Sequence, residues 1–355
     1  MQNIKTNHYD IFLSNQKSSL INKFISKNKY SKVFILVDSN TRKYCLNLFL
    51  EKHLNGIKIE LITIKDGEEN KNSRNLYSVW SKISQLGGDR NSLLINLGGG
   101  LVSDLGGFVA STYNRGIDFV NIPTTLLSMV DASIGGKVGI NIKKLKNQVG
   151  VFNHPKLILI DTSFLISLPE SELNSGFAEM LKHGLIFERK YYRTLSDLKK
   201  IDSKLSSDLI IKSIKIKNEI VNNDPREKNF RKILNFGHTL GHAIESHFLS
   251  KKKPENLLHG EAISIGMILE SYISHRILKM PYKQCLEIKE NMNSKFQKIK
   301  IDSEDSRSII KLIKFDKKNK GGKVLFVLLS EIGKSEIDIE VPKKTIIESI
   351  EFYNS

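Results

Sequence analysis

Cysteine is almost missing from this chain: Cys45 and Cys285 are the only two, they lie far apart, and neither belongs to a CxxC pair. A disulfide framework is thereby excluded, and a reducing, cytoplasmic compartment is expected. No apolar run reaches the length of a membrane helix, and the opening MQNIKTNHYD lacks a signal-peptide core. Internal repeats and low-complexity linkers are absent, as is a GxGxxG dinucleotide fingerprint. Acidic residues are outnumbered, 38 against 55 lysines and arginines, for a net charge of +17. Such an excess suits nucleic acid or a membrane surface. The basic residues are scattered, however, and Lys251-Lys252-Lys253 reads as an interhelix loop. Neither nucleic acid nor membrane is therefore expected as a partner, and a small polyanionic substrate accounts for local cations.

What is present is ordinary globular material, 40% hydrophobic and 26% charged, and 355 residues predict two domains. The first half alternates short apolar runs with helical spacing. Strands are expected at Val33–Val37, Ile57–Ile64, Ser92–Leu97, Phe119–Ile122 and Leu157–Ile160, with helices at Thr41–Leu54 and Ser73–Leu86 between them. Such alternation predicts a mainly parallel sheet covered by helices. From Pro169 the spacing is helical over 170–186, 204–222, 236–249, 258–279 and 283–298. A hairpin of Val324–Leu328 and Glu336–Glu340 turns through Gly333, and a last helix covers Lys343–Phe352. The expected fold is α/β: an N-terminal Rossmann-like parallel-sheet domain over 1–165, then a mainly α-helical domain over 166–355, with the active site in the interdomain cleft.

Three segments carry chemistry. Gly98-Gly99-Gly100-Leu-Val-Ser-Asp104 follows a strand and opens a helix, so backbone amides approach a pyrophosphate without Cβ clashes. Asp38 closes the first strand, and Asp66-Gly-Glu68-Glu-Asn-Lys71 lies at a neighbouring strand end. Pro123-Thr124-Thr125-Leu-Leu-Ser-Met-Val-Asp131-Ala-Ser-Ile-Gly135-Gly136-Lys137, followed by Lys146-Asn147, combines hydroxyls, a carboxylate and amine donors suited to an oxyanion. In the helical half, His238 and His242 form an i,i+4 pair of the kind that binds metal. Glu179 and His259 are the other candidate ligands, with Glu261 and His183 beside them. Arg231 and Asn235, one turn apart, are expected on the face of His238 and His242, and Lys217 lies on the preceding helix.

The order GGGxxxD, PTTLLxxVDxSxGGK, KNxxGxF, SGxAExxKxG, DxRExxxRxxLNxGHTxGHAxE, LHGE and DKKN resembles the 3-dehydroquinate synthase family, sugar phosphate cyclases of the shikimate pathway. The match runs from Asp38 to Lys334. Other sugar phosphate cyclases, and more distantly metal-dependent polyol dehydrogenases, share parts of it. The resemblance implies Zn2+ (or Co2+) held by Glu179, His238 and His259, with His242 facing substrate. It implies NAD bound by Asp38, Glu68, Lys71, Gly98, Gly99, Gly100, Asp104, Thr124, Thr125 and Lys146, with Ser167 and Leu168 on the adenine side. Substrate would meet Asp131, Lys137, Asn147, Lys182, Lys217, Arg231, Asn235, His242 and a lysine of Lys317-Lys318. Arg115 would reach a neighbouring subunit's site, which implies a homodimer. One departure is Leu145, where the family often has glycine before the Lys-Asn pair.

The implied substrate is 3-deoxy-D-arabino-heptulosonate 7-phosphate, a sugar acid phosphate. NAD takes a hydride, phosphate leaves by β-elimination with the substrate's own phosphate as base, the hydride returns, and an intramolecular aldol step yields 3-dehydroquinate. Net redox is zero.

Overall fold

The computed structural model describes residues 2–14, 16–142, 145–250, 257–313 and 324–355. In chain order the early elements are β1 (Gln2–Lys5), β2 (Asp10–Leu13), α1 (Leu20–Asn28), β3 (Lys32–Asp38), α2 (Ser39–Tyr44), α3 (Leu46–His53), β4 (Glu60–Ile64), α4 (Ser73–Gln85), β5 (Ser92–Gly98), α5 (Gly100–Thr112), β6 (Asp118–Pro123), β7 (Lys137–Ile142), β8 (Leu145–Phe152) and β9 (Leu157–Ile160). There follow α6 (Glu170–Phe187), α7 (Arg189–Ser196), α8 (Ser207–Asn223), α9 (His238–Ser250), α10 (His259–Leu278), α11 (Tyr282–Lys295), α12 (Ser303–Ile313), β10 (Leu325–Glu331), β11 (Lys334–Glu340) and α13 (Lys343–Asn354). The chain divides into two compact units, 1–169 with 203–218, and 170–202 with 219–355.

The first unit is built on a seven-stranded sheet of order β1-β2-β9-β6-β5-β3-β4, parallel except for the β1–β2 pair. Every residue of β5 is buried, as a strand covered on both faces requires. The buried stripe Leu76, Val79 and Ile83 of α4 joins the same core as Phe34, Leu36 and Leu94. The expected helix over 41–54 is two helices, because the chain turns at Cys45, which ends α2 and precedes α3. β1, β2 and the β7–β8 hairpin were not anticipated. Gln2–Lys5 is too short and polar to signal a strand, and the Gly-, Lys- and Asn-rich 137–152 reads as loop chemistry rather than pairing.

The second unit packs around α10, which is buried on nearly all sides from Gly260 to Ser274. Two close approaches fix its neighbours. A Cβ on Gly266 would lie 2.0 Å from the Gly237 carbonyl oxygen, and one on Gly260 would lie 2.3 Å from Ser175 Cα. The first brings the start of α9 onto α10; the second, with Gly260 N–H donating to Ser175 Oγ at 2.9 Å, brings the start of α10 onto α6. The β10–β11 hairpin turns through Gly333 (φ +95°), as its spacing suggests.

Candidate active site

In the first unit the strand order reverses between β3 and β5: connections run outward to β4 on one side and to β6 on the other. Open α/β sheets bind ligands at the carboxyl ends flanking such a reversal. Asp38 ends β3 and Gly98 ends β5. Asp38 is pinned there by a reciprocal cap: its Oδ1 accepts from Thr41 N–H at 2.8 Å, and its own N–H donates to Thr41 Oγ1 at 2.9 Å. The Cys45 thiol lies against the same end. Burial pushes it up to about 11, opposed by hydrogen bonds with Ser167 and Thr124. Thr124 N–H donates to the Gly98 carbonyl at 3.1 Å, and Thr125 Oγ1 accepts from Ser128 N–H at 3.1 Å. Leu168 closes the short helical turn at Thr162–Ser167.

The three glycines differ in what they require. A Cβ on Gly98 would lie 2.5 Å from Val102 Cγ2, and one on Gly99 would lie 3.0 Å from Thr125 Cγ2. A Cβ on Gly100 would meet nothing closer than Ala132 Cβ at 3.6 Å, an ordinary contact. The protein itself therefore does not demand glycine at the first residue of α5. The start of a helix offers backbone N–H groups that an anion can accept from, and a glycine there lets a pyrophosphate approach closely, so this turn fits a dinucleotide.

A polar network adjoins it. Lys71 Nζ donates to Asp104 Oδ2 at 3.0 Å and lies 3.1 Å from Glu68 Oε1. Burial opposes the Lys71 charge, but Asp104 and Glu68 outweigh it and raise the ammonium above its ordinary value. Burial raises Glu68, yet Lys71 and Lys146 prevail and hold it low; for Asp104 burial prevails, and it is raised. Asn141, which no sequence pattern singled out, joins these groups. Its Nδ2 donates to Glu68 Oε1 at 2.9 Å, and its Oδ1 accepts from Asn147 N–H at 2.8 Å. Asn147 sits at φ +52°, a left-handed conformation that asparagine tolerates. Lys137 is exposed at the start of β7.

Asp131 lies in a single π turn, Ser128–Ala132, a distortion frequent at functional positions. Lys217 Nζ donates to its Oδ1 at 2.6 Å and to its carbonyl at 2.5 Å. Asn114, Arg115 and Gly116 all have positive φ (50°, 70° and 118°), and this bend carries the exposed Arg115.

In the second unit Glu179 of α6, His238 at the start of α9 and His259 at the start of α10 converge. Glu179 Oε1 lies 3.4 Å from His238 Nε2 and 3.6 Å from His259 Nε2. A tetrahedral ion with bonds of 2.0–2.1 Å separates its ligand atoms by about 3.3 Å. The far side of each ring is tied. His238 Nδ1 donates to the Phe236 carbonyl at 3.0 Å, and His259 Nδ1 faces Glu245 Oε2 at 3.5 Å. Both ties suit a proton on Nδ1, so that each ring, when neutral, would turn its Nε2 lone pair toward Glu179, the tautomer a metal ligand needs. Both Glu179 oxygens are buried and accept no hydrogen bond; the carboxylate is ion-paired with the buried Lys182. Burial opposes its charge, but Lys182 and His238 hold it well below the usual carboxylate range. Burial and Lys182 lower His238, while Glu245 and Glu179 overcome burial to push His259 up to about 9. A buried carboxylate facing two oriented imidazoles fits a divalent cation. The His242 ring stands 5.1 Å from that of His238 and 5.8 Å from that of His259.

Arg231 and Asn235 do not continue the α9 face. They lie in a separate 3-10 segment, Phe230–Asn235, broken from α9 at Gly237 (φ +78°), and at three residues per turn an i,i+4 pair is not aligned. Buried Arg231 donates from Nη1 to the Pro225 carbonyl at 2.8 Å, and Asn235 Nδ2 donates to Glu227 Oε1 at 2.9 Å. Glu261 caps its own helix through Leu258 N–H at 2.8 Å. Glu245 had a readable signal: it lies seven residues after His238, on the same helix face. Lys317 and Lys318 lie outside the described residues.

Comparison with known proteins bears on the chain as a whole. A family model described as 3-dehydroquinate synthase N-terminal matches residues 61–175, and one described as 3-dehydroquinate synthase C-terminal matches 176–319. The 3-dehydroquinate synthase of Parabacteroides distasonis is 40% identical over 93% of both chains. That of Clostridium botulinum is 39% identical over 94% of this chain and 95% of its own. Among solved structures, 2-deoxy-scyllo-inosose synthase complexed with carbaglucose-6-phosphate, NAD+ and Co2+ superposes with a TM-score of 0.83 at 25% identity, covering 98% of this chain and 99% of that one. The 2-epi-5-epi-valiolone synthase of Streptomyces hygroscopicus, solved with NAD+ and Zn2+, shares the fold with a TM-score of 0.81 at 24% identity over 99% and 98% of the two chains. The chain belongs to the 3-dehydroquinate synthase family.

Proposed function

We propose that this chain converts 3-deoxy-D-arabino-heptulosonate 7-phosphate to 3-dehydroquinate and phosphate, with NAD and a zinc-type divalent cation as cofactors. The observation that carries the reading is the cage of Glu179, His238 and His259, each imidazole tied at Nδ1 and open at Nε2. When bound, NAD exchanges a hydride with a substrate carbinol and the cation polarises its oxygens. Glu179, His238 and His259 hold the cation; Co2+ is an alternative to Zn2+. Gly98–Gly100 seat the pyrophosphate, and Asp38, Glu68, Lys71, Asp104, Thr124, Thr125, Lys146, Ser167 and Leu168 hold the remaining dinucleotide.

Lys137, Asn147, His242 and Arg115 from a partner copy bind the phosphate group. Lys217, Arg231 and a lysine of Lys317-Lys318 bind the carboxylate; Asp131 orients Lys217 through the 2.6 Å ion pair. Asn235 positions substrate, and Lys182 keeps a positive charge at Glu179. Keeping both Lys217 and Arg231 favours a sugar acid over substrates that lack a carboxylate. The placement is the shikimate pathway, in the cytoplasm, as a homodimer. Both cysteines are free and buried, which suits a reducing compartment. Among the described residues no helix is long and apolar enough to cross a membrane.

The test supplies the heptulosonate phosphate with substoichiometric NAD. Many equivalents of phosphate and 3-dehydroquinate released, with no accumulation of NADH, are expected. NADH rising in step with substrate loss would select a polyol dehydrogenase instead. Release from sedoheptulose 7-phosphate or glucose 6-phosphate, but not from the acid, would select another cyclase.

A further inference from the structure

We propose that Glu270, a carboxylate in the middle of α10, is the positioning residue for His238 and acts on it through one peptide group. The inference deepens the metal-cage reading and rests on it. α9 starts at His238, and the first amides of a helix lack partners within it. Side chains of the same segment commonly satisfy the amides at the cap and at the third residue. Here those positions are Gly237 and Leu240, which have no polar side chain to offer. Glu270 supplies both partners from another helix. Its Oε2 accepts from Gly237 N–H at 2.6 Å and its Oε1 accepts from Leu240 N–H at 3.1 Å.

The first of these bonds bears on the metal site. Gly237 N–H and the Phe236 carbonyl belong to the same peptide group, and that carbonyl accepts from His238 Nδ1 at 3.0 Å. The sequence of contacts is therefore carboxylate, peptide N–H, peptide C=O, imidazole N–H. Hydrogen bonds in series polarise one another, so a negative charge at the far end strengthens the carbonyl as an acceptor. His259 meets its carboxylate, Glu245, directly; His238 meets Glu270 with a peptide inserted. Metal-bound histidines commonly hold a carboxylate or carbonyl on the far nitrogen, which fixes the ring and raises its basicity.

Glu270 is fully buried; among the described residues Ser274 Oγ touches only backbone, donating to the Glu270 carbonyl at 2.6 Å and accepting from Leu329 N–H at 2.9 Å, and makes no contact with the Glu270 carboxylate. The close approach at Gly266, one turn earlier, sets α10 against the Gly237 carbonyl, in the next peptide along the chain. The sequence-level signal is nil: Glu270 lies 32 residues from His238 on a different helix.

The test is Co2+ titration of chelator-stripped wild-type, Glu270→Gln and Ser274→Ala proteins, read by the cobalt absorption band. Glutamine has one acceptor oxygen and sets an NH2 group against the other amide. Glu270→Gln is expected to bind Co2+ about 10- to 100-fold more weakly, while Ser274→Ala loses thermal stability but keeps wild-type affinity. Wild-type affinity in Glu270→Gln, or an equal loss in Ser274→Ala, overturns the proposal. Should Glu270→Gln not fold, amide exchange in the wild type decides. Gly237 and Leu240 protected equally with and without Co2+ supports the clamp; free exchange in the stripped protein overturns it. A wild-type chain that takes up no Co2+ overturns the metal-cage reading itself.

Discussion

Gly100→Ala separates the two reasons a glycine can occupy the start of a helix. A methyl group at this position meets only Ala132 Cβ, at 3.6 Å, so the folded protein accommodates it. Replacing glycine where the backbone is already helical restricts the unfolded chain and stabilises by about 0.4–1 kcal/mol. A bound pyrophosphate would occupy the same space, and forcing a methyl into a filled site costs about 1–3 kcal/mol. That corresponds to NAD binding weakened about 5- to 150-fold. The two effects have opposite signs, which makes the variant diagnostic. Gly98→Ala is the control: its Cβ would lie 2.5 Å from Val102 Cγ2, so stability falls whatever the ligand does. Thermal unfolding and calorimetric NAD titration read both quantities. Gly100→Ala that is as stable as wild type and binds NAD as tightly would remove the triglycine turn from the dinucleotide site.

Glu245→Gln removes the carboxylate behind His259 with little change of shape, and is expected to weaken metal binding by about 10- to 100-fold. Unchanged affinity by chelator competition would make the 3.5 Å contact incidental. Arg231→Ala is expected to raise KM and lower kcat, for a loss in kcat/KM of at least about tenfold, because charge-assisted hydrogen bonds contribute about 1.5–3 kcal/mol. An unchanged kcat/KM would remove Arg231 from substrate binding. Asp161 gives the pH dependence of folding. Hydrogen bonds from His53, Lys52 and Ser163 outweigh burial and hold its carboxyl down at about 2. A carboxyl depressed in the folded state contributes stability above its unfolded value, near 3.8, and loses it as pH falls through about 2. Urea unfolding should show a wild-type advantage over Asp161→Asn of about 2 kcal/mol at pH 5, vanishing toward pH 2. Parallel curves would refute the assignment.

The sheet half was legible because buried parallel strands are dense apolar runs. Val33–Val37 and Ser92–Leu97 fall inside β3 and β5 with one residue or less missing at each end. Helix extents were legible where the spacing was long, as in α6 and α10. The break at Gly237 was hidden, because a run of helical-looking residues crosses it and only the positive φ reveals the interruption. For the candidate site, motifs named Glu179, His238 and His259, but periodicity alone favoured His242 over Glu179. The convergence of these three side chains arises from three helices brought together by the glycine contacts at 260 and 266, and contacts between distant segments leave no local pattern. Asn141 and Glu270 escaped for the same reason: each acts through partners six or more residues away that carry no shared spacing.

Metal stoichiometry on the purified, chelator-stripped and reloaded chain tests the central claim most directly. One equivalent of Zn2+ or Co2+ per wild-type chain is expected, restoring phosphate release in proportion to occupancy, with neither bound metal nor activity in Glu179→Gln. Full phosphate release from stripped protein, or one equivalent still bound tightly in Glu179→Gln, would contradict the account.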